Sequence, residues 1–356
     1  MSQISERKRS HLTLCATEDV EHHGATLLDE VRLLHEALPD LSLADVSLET
    51  TLLGKTLRAP IVISGMTGGT DEAGTLNRAL AGAAQKLGVA MGVGSQRAML
   101  LHPDQADTYR VREVAPDILL LANLGAVQAR ESGTAAVMGL VRAIGADALC
   151  VHLNVAQELV QDEGDRDFRG CLAALGELAR ELPVPVIAKE TGCGLSPGTL
   201  ARLCDAGVRW VDVAGAGGTS WTAVESLRGS ERQQALGREL RDWGIPTAAS
   251  VVYAARAGLR VIASGGIRGA LDAAAALALG ADAVSLALPF FRAFTEGEQD
   301  GVLLAGERLI EGLRVVALLT GARDARALRR VPRVIGPNLA RWIEVSRAPA
   351  RSEEAS

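Results

Sequence analysis

From residue 60 onward the chain repeats one rhythm. A short apolar run ends in Gly or polar residues, and an Ala/Leu-rich stretch of helical character follows. The runs are "PIVISGMTGG" (60–69), "VAMGVGSQR" (89–97), "DILLLANLG" (117–125), "ALCVHLN" (148–154), "VPVIAKE" (184–190), "RWVDVAGAGG" (209–218), "RVIASGGIR" (260–268) and "AVSLALP" (283–289). Helical stretches at 74–87, 103–114, 134–145, 171–181, 198–206, 247–257 and 270–279 separate them. Apolar strands joined by crossover helices predict a parallel sheet covered on its outer face. Eight such units predict an α/β fold, a (β/α)8 TIM barrel. A doubly wound open sheet is the rival, but it would carry one Gly-rich turn after its first strand. Here Gly-rich or polar strand ends recur throughout, which favours the barrel.

The segments outside the rhythm define the rest of the organisation. Residues 1–58 form an N-terminal extension with a basic start, a helix-like "ATLLDEVRLLHEAL" (25–38) and a hairpin over 47–60 turning at Gly54. The barrel domain is expected over 59–343. Residues 221–245 are an insertion rich in Arg, Glu and Gln, placed where the sixth strand passes into its helix. It therefore belongs to the face that carries the site. The tail, 344–356, is poor in apolar residues and expected to be disordered.

A chain of 356 residues suits one large domain or two modest ones. Its net charge of −6 offers no broad basic face to nucleic acid, so an anionic ligand must be held by a few placed cations. Five dispersed cysteines without a C-x-x-C pair point to reduced thiols and a cytoplasmic setting. The polar, basic start has no apolar run behind it, so no signal peptide is expected, and no segment is apolar enough to cross a membrane.

In a barrel, side chains at the C-terminal strand ends converge on one mouth. The polar ends then form one inventory: Thr67, Ser95, Gln96, Arg97, Asn123, His152, Asn154, Gln157, Glu158, Lys189, Asp212, Thr219, Ser264 and Arg268. The loops after strands seven and eight, "SGGIRG" (264–269) and "ALPF" (287–290), fall where such barrels hold phosphate on backbone N–H groups, and the glycine-rich turn "AGAGGTSW" (214–221) is similar and adds Thr219. One Gly-Gly turn is equally a tight bend; two at the expected strands favour phosphate. Only four of the 37 basic residues are lysine, so Lys189 at the end of an apolar strand stands out. It reads either as a salt bridge to Glu190 or Glu158, or as a fixed cation beside an electron-rich ring or anion. Taken alone, His152 reads as a hydrogen-bonded core histidine, and His22 and His23 as solvated surface. Glu158 is either a helix N-cap partner or a Mg²⁺ ligand, since one carboxylate suffices when substrate phosphates supply the other ligands. Arg7 and Lys8 matter only if the N-terminus folds over the mouth.

What is missing narrows the chemistry. A flavin-dependent 2-hydroxy-acid oxidase needs a His base after strand six, a nucleotide dehydrogenase of this barrel type needs a Cys nucleophile there, and "AGAGGTSW" supplies neither. A metal hydrolase needs several His, Asp or Glu ligands together. A flavin or phosphate pocket with few strong acids and bases remains.

The segments "RKRSHL" (7–12), "MTGG" (66–69), "GSQRA" (94–98), "NLGA" (123–126), "HLNVAQE" (152–158), "KETGCG" (189–194), "DVAGAGGTSW" (212–221), "ASGGIRG" (263–269) and "ALGADAV" (278–284) together resemble the FMN-dependent type 2 isopentenyl-diphosphate delta-isomerases. They run in that family's order from residue 7 to about residue 290, with mild departures at Ala156 and Cys193. The resemblance implies interconversion of isopentenyl and dimethylallyl diphosphate. It carries FMN to Met66, Thr67, Gly68, Ser95, Asn123, Lys189, Thr219, Gly265, Gly266, Ile267, Arg268, Ala287 and Leu288. It carries substrate to Arg7, Lys8, His11, Ser95, Gln96, Arg97 and Gln157, catalysis to Gln157, His152 and Asn154, and Mg²⁺ to Glu158. NADPH or NADH would serve to keep FMN reduced, and a homo-oligomer, tetramer or octamer, is expected. Two other classes stay open: a flavin oxidoreductase with net turnover of NAD(P)H, and a non-enzymatic phosphate-binding barrel.

Overall fold

The computed structural model describes residues 3–345. Eight parallel strands close into a barrel: Ile61–Ile63, Ala90–Gly92, Leu120–Gly125, Ala148–Leu153, Val186–Glu190, Trp210–Asp212, Arg260–Ser264 and Ala283–Leu286. Each lies within a run expected from the sequence, and the last pairs with the first through Val62 and Ser285.

The period-two alternation of a strand decides what faces the barrel interior. Val62, Ala90, Leu121, Ala148, Ile187, Ile262 and Ala283 form an inner apolar cluster. Their outward neighbours, such as Leu120, Val151, Ala188 and Val261, pack beneath the helices. Two residues further along most strands, and four in strand four by way of Cys150, the same inward face reaches the C-terminal mouth. It carries Ser64, Asn123, His152, Lys189, Asp212, Ser264 and Ser285 there. The interior is therefore apolar below and polar above.

The hairpin Thr50–Leu52 and Lys55–Leu57 turns at Leu53 and Gly54, both with positive φ (50° and 86°). Leu52 and Leu57 join the inner cluster, so the hairpin plugs the N-terminal end of the barrel. Lys55 Nζ anchors it to Ile118 O (3.0 Å) and Asp147 (2.9 Å).

Two helical expectations fail. Residues 25–38 do not form a helix: Val31–Leu33 is a strand, antiparallel to Arg333–Ile335. Leu27, Leu28 and Val31 still join the core, Leu27 from a left-handed bend (φ 58°) and Val31 from the strand whose pairing with 333–335 replaces helical bonds. Residues 103–114 form a 3₁₀ turn, Pro103–Thr108, behind a short helix, Arg97–Leu101. Pro103 cannot continue the preceding helix, and Tyr109 and Val111 turn into the core. The insertion folds as helices Trp221–Ser226 and Glu231–Glu239, on the mouth side. Glu344 and Val345, counted with the tail, end the helix Pro337–Val345; residues 346–356 lie outside the described residues.

Candidate active site

The mouth holds a cavity of about 250 Å³. The strand ends form its floor. The helix Gln3–Thr17 brings Arg7, Lys8 and His11 over it, and Trp221 of the insertion closes one side. The basic start therefore folds over the mouth.

On the floor, His152, Lys189 and Asp212 lie side by side on strands four, five and six. His152 Nδ1 lies 2.8 Å from Asn123 Oδ1. Burial, with Lys189, Arg97 and Lys8 nearby, pushes the imidazole down to about 4, so it is neutral at pH 7. The partner of Lys189 is neither Glu190 nor Glu158. Its Nζ donates to Asp212 Oδ2 at 2.8 Å, and Ser264 Oγ donates to the other Asp212 oxygen. Glu190 instead turns into its own loop, where Oε2 accepts the N–H groups of Thr191, Gly192, Cys193 and Gly194.

Beyond strand four the chain enters the helix Val155–Val160, and the polar residues of "HLNVAQE" satisfy one another while lining the cavity. Asn154 Nδ2 donates to Glu158 Oε1 (2.8 Å) and reaches Gln157 Oε1 (3.3 Å). The Asp165 N–H donates to Glu158 Oε2 at 2.8 Å. Gln157 Nε2 donates to Glu225 Oε1 at 2.9 Å.

Glu225 is the residue the sequence reading missed. Its side chain is 2% exposed and accepts from Gln157, from Arg228 (2.8 Å) and from His11 Nε2 (2.9 Å). Gln161, with its amide turned to satisfy both neighbours, donates to Glu225 Oε1 (3.2 Å) and accepts from Arg7 Nη1 (2.8 Å). Burial pushes the Glu225 carboxyl up, but His11, Gln157 and Arg228 outweigh it and hold it low. This carboxylate ties the N-terminal helix, the strand-four loop and the insertion together. Its one sequence signal was its place in an insertion on the site face.

Arg97 and Arg7 line the cavity, and burial and Arg97 lower the Arg7 pKa. Lys8 Nζ donates to Gly68 O, Ser95 O (3.1 Å) and Tyr109 Oη (2.8 Å).

The two glycine turns press against each other. A Cβ on Gly218 would stand 2.3 Å from Gly266 N, and one on Gly265 2.1 Å from Gly215 O. Gly265 and Gly266 also hold positive φ (96° and 71°). Only glycine permits this close approach, and it leaves the bare backbone of Gly265 and Gly266 on the cavity wall. The buried hydroxyls of Thr67 and Ser285, both on the cavity wall, have no partner among the described residues. Bare backbone, unpaired hydroxyls and Lys189 fit a polar, phosphorylated cofactor such as FMN.

Most expected cofactor residues line this cavity: Met66, Thr67, Ser95, Asn123, Lys189 and Thr219, then Gly265–Arg268 with Ala287 and Leu288. Arg268 is paired with Glu21, and its N–H donates to Asp272. Two expected residues are elsewhere. Gly68 does not line the cavity; it lies under the Tyr109 ring, with its carbonyl on Lys8. Gln96 is 0% exposed and points into the wall, accepting the Asn123 N–H and donating to Leu140 O. Past a strand end neighbouring side chains diverge, and only Arg97 of this pair turns inward. His22 is also not solvated: its side chain is 2% exposed, against 65% for His23.

Among the described residues no group of three or more His, Cys, Asp or Glu side chains comes together as a metal site. Glu158, with each oxygen fixed by a hydrogen bond, fits a Mg²⁺ shared with a ligand's phosphates rather than a closed protein cage. No helix of the described residues is long and apolar enough to cross a membrane.

Comparison with known proteins agrees with this geometry. A profile of the FMN-dependent dehydrogenases matches residues 156–332. Mandelate oxidases share the fold: one solved with a C4a-OH-FMN adduct superposes with a TM-score of 0.65 at 17% identity, over 93% of this chain and 99% of that one. The isopentenyl-diphosphate delta-isomerase of Synechococcus sp. is 51% identical over 94% of this chain and 97% of its own length. That of Thermococcus onnurineus is 43% identical over 95% and 93%. With such identity over nearly the whole length, on an FMN-type barrel, the chain belongs to the FMN-dependent, type 2 isopentenyl-diphosphate delta-isomerase family.

Proposed function

We propose that the chain interconverts isopentenyl and dimethylallyl diphosphate in this cavity, with reduced FMN bound and the diphosphate held by the cations and carboxylate that line it. The observation that carries this arrangement is that Arg7, Arg97, Glu158 and neutral Gln157 line one cavity. Two guanidiniums and a Mg²⁺ on Glu158 would neutralise a diphosphate in a protein that is acidic overall.

The reaction adds a proton at the terminal alkene carbon and removes one from the allylic carbon, so formula and oxidation state are unchanged. FMN, when reduced and bound, supplies the acid–base chemistry that an unactivated alkene requires. The protein's residues orient and exclude water. Neutral His152, held by Asn123, presents the pocket with an uncharged imidazole. Gln157, held by Glu225, orients the alkene end. Lys189, fixed by Asp212, keeps a positive charge where a reduced, anionic flavin ring benefits from it. Thr67, Ser285, Thr219 and the Gly265–Arg268 turn hold the cofactor. NADPH or NADH would only maintain the reduced state, and the cytoplasm is the setting that fits the free thiols.

Anaerobic incubation of the purified protein with FMN, NADPH, Mg²⁺ and isopentenyl diphosphate tests this reading. Dimethylallyl diphosphate should form over many turnovers for each NADPH oxidised. A ratio near one NADPH per product would overturn the isomerase and favour an oxidoreductase. Bound FMN without product would favour a binding protein.

A further inference from the structure

Tyr109 is the largest fully buried side chain among the described residues, and it stands outside the strand-end set. It follows the 3₁₀ turn Pro103–Thr108 and lays its ring on Gly68, where a Cβ would come within 2.0 Å of the ring's Cε1. The phenol donates to Ser95 O at 2.8 Å and accepts from Lys8 Nζ at 2.8 Å. Lys8 Nζ also reaches Ser95 O (3.1 Å) and Gly68 O, so its ammonium faces three protein oxygens. A buried phenol needs partners for its hydroxyl, and this one finds both on the wall of the cavity. Phenylalanine would fill the same space and rest on Gly68 equally well. The hydroxyl therefore serves something that packing does not require.

We propose that Tyr109 is a positioning residue for substrate binding: its phenol holds the Lys8 ammonium at the cavity wall and so fixes the helix Gln3–Thr17 over the mouth. This rests on the reading that the N-terminal cations face the substrate diphosphate. The electrostatics agree with the geometry. Burial, then Arg7 on the same helix, pushes Lys8 down to about 7. From the barrel, neutral His152 and the Tyr109 phenol face it; the phenol is itself pushed well above its usual range by burial. At about 7 Lys8 titrates near neutrality, and the phenol oxygen is one of the three acceptors that its charged form uses. Removing one acceptor lets the ammonium lose its proton at a lower pH.

The test measures isopentenyl diphosphate binding to the FMN-loaded protein with Mg²⁺, by calorimetry from pH 6 to 9. It compares the parent with Tyr109→Phe, Lys8→Met and the double variant. Tyr109→Phe is expected to weaken binding roughly tenfold and to move the alkaline loss of affinity to lower pH. The double variant is expected to match Lys8→Met, because Tyr109 acts through Lys8. Losses that simply multiply, or an unmoved alkaline limb, would make Tyr109 a packing residue and overturn the proposal. Hydrogen exchange over residues 3–17, without substrate, decides the same coupling independently. Tyr109→Phe and Lys8→Met should speed it equally and non-additively; unchanged exchange in Tyr109→Phe overturns the proposal. If the parent itself fails to bind isopentenyl diphosphate, the substrate assignment fails, while the exchange data still decide whether Tyr109 holds Lys8.

Discussion

Gln157 and Glu158 are adjacent, yet their partners divide the work. Glu158 is fixed by Asn154 and the Asp165 N–H, whereas Gln157 is drawn toward Glu225. Glu158→Gln keeps the shape and removes the charge. It is expected to raise the Mg²⁺ concentration needed for half-maximal activity by on the order of tenfold, with rescue at high Mg²⁺. Gln157→Ala should instead lower kcat and leave the Mg²⁺ titration unmoved; the reverse pattern would exchange their roles. His152 carries a pH prediction. Its folded pKa, about 4, lies below the ordinary value, so the neutral ring stabilises the fold above pH 6.5. That contribution is lost as pH falls toward 4, where burial first, then Lys189, Arg97 and Lys8, oppose a charged imidazole. Thermal unfolding between pH 7 and pH 4 should show a steeper acid loss for the parent than for His152→Gln. At this scale residue types were legible and directions were not. The strand pattern gave Asn123, His152 and Lys189, whose alternation is fixed, but it could not separate Gln96 from Arg97 beyond the strand end.

Elements show the same division. The hairpin was legible because Gly54 follows an apolar residue between two alternating runs, but its destination was not. Leu52 and Leu57 plug the barrel only because the closed sheet leaves an apolar opening at its N-terminal end. Leu52→Ala is expected to destabilise the fold by roughly 2–5 kcal/mol without changing FMN affinity, as read by denaturant unfolding and flavin fluorescence. Gly266→Ala is the converse case. The new Cβ would stand 2.3 Å from both Gly217 O and Thr26 Cγ2, at a φ of 71°. FMN binding should fall by at least an order of magnitude, more than after Gly269→Ala, where nothing lies within 4 Å. Equal losses at both positions would show that the turn tolerates a side chain and that phosphate contacts lie elsewhere.

For the whole molecule, the mouth is assembled from parts far apart in sequence. Residue 7, the strand-four loop and residue 225 meet through Gln161 and Glu225. Deleting residues 1–9 removes Arg7 and Lys8 while leaving the glycine turns untouched. It should raise KM for isopentenyl diphosphate by on the order of a hundredfold with FMN still bound; unchanged kinetics would reduce the N-terminal helix to a cover. The sequence by itself determined the barrel, because eight apolar runs with polar ends have one economical closure that buries the runs and gathers the ends. It also determined which residue types meet at the mouth, because strand alternation and strand direction are local properties. Only the tertiary structure decided that 25–38 holds a short strand instead of a helix, that Lys189 pairs with Asp212 rather than Glu190, and that Glu225 and Tyr109 stand behind the site. Those outcomes depend on which partner a closed barrel brings within hydrogen-bonding distance. Contacts between residues tens or hundreds of positions apart leave no periodic trace in the chain.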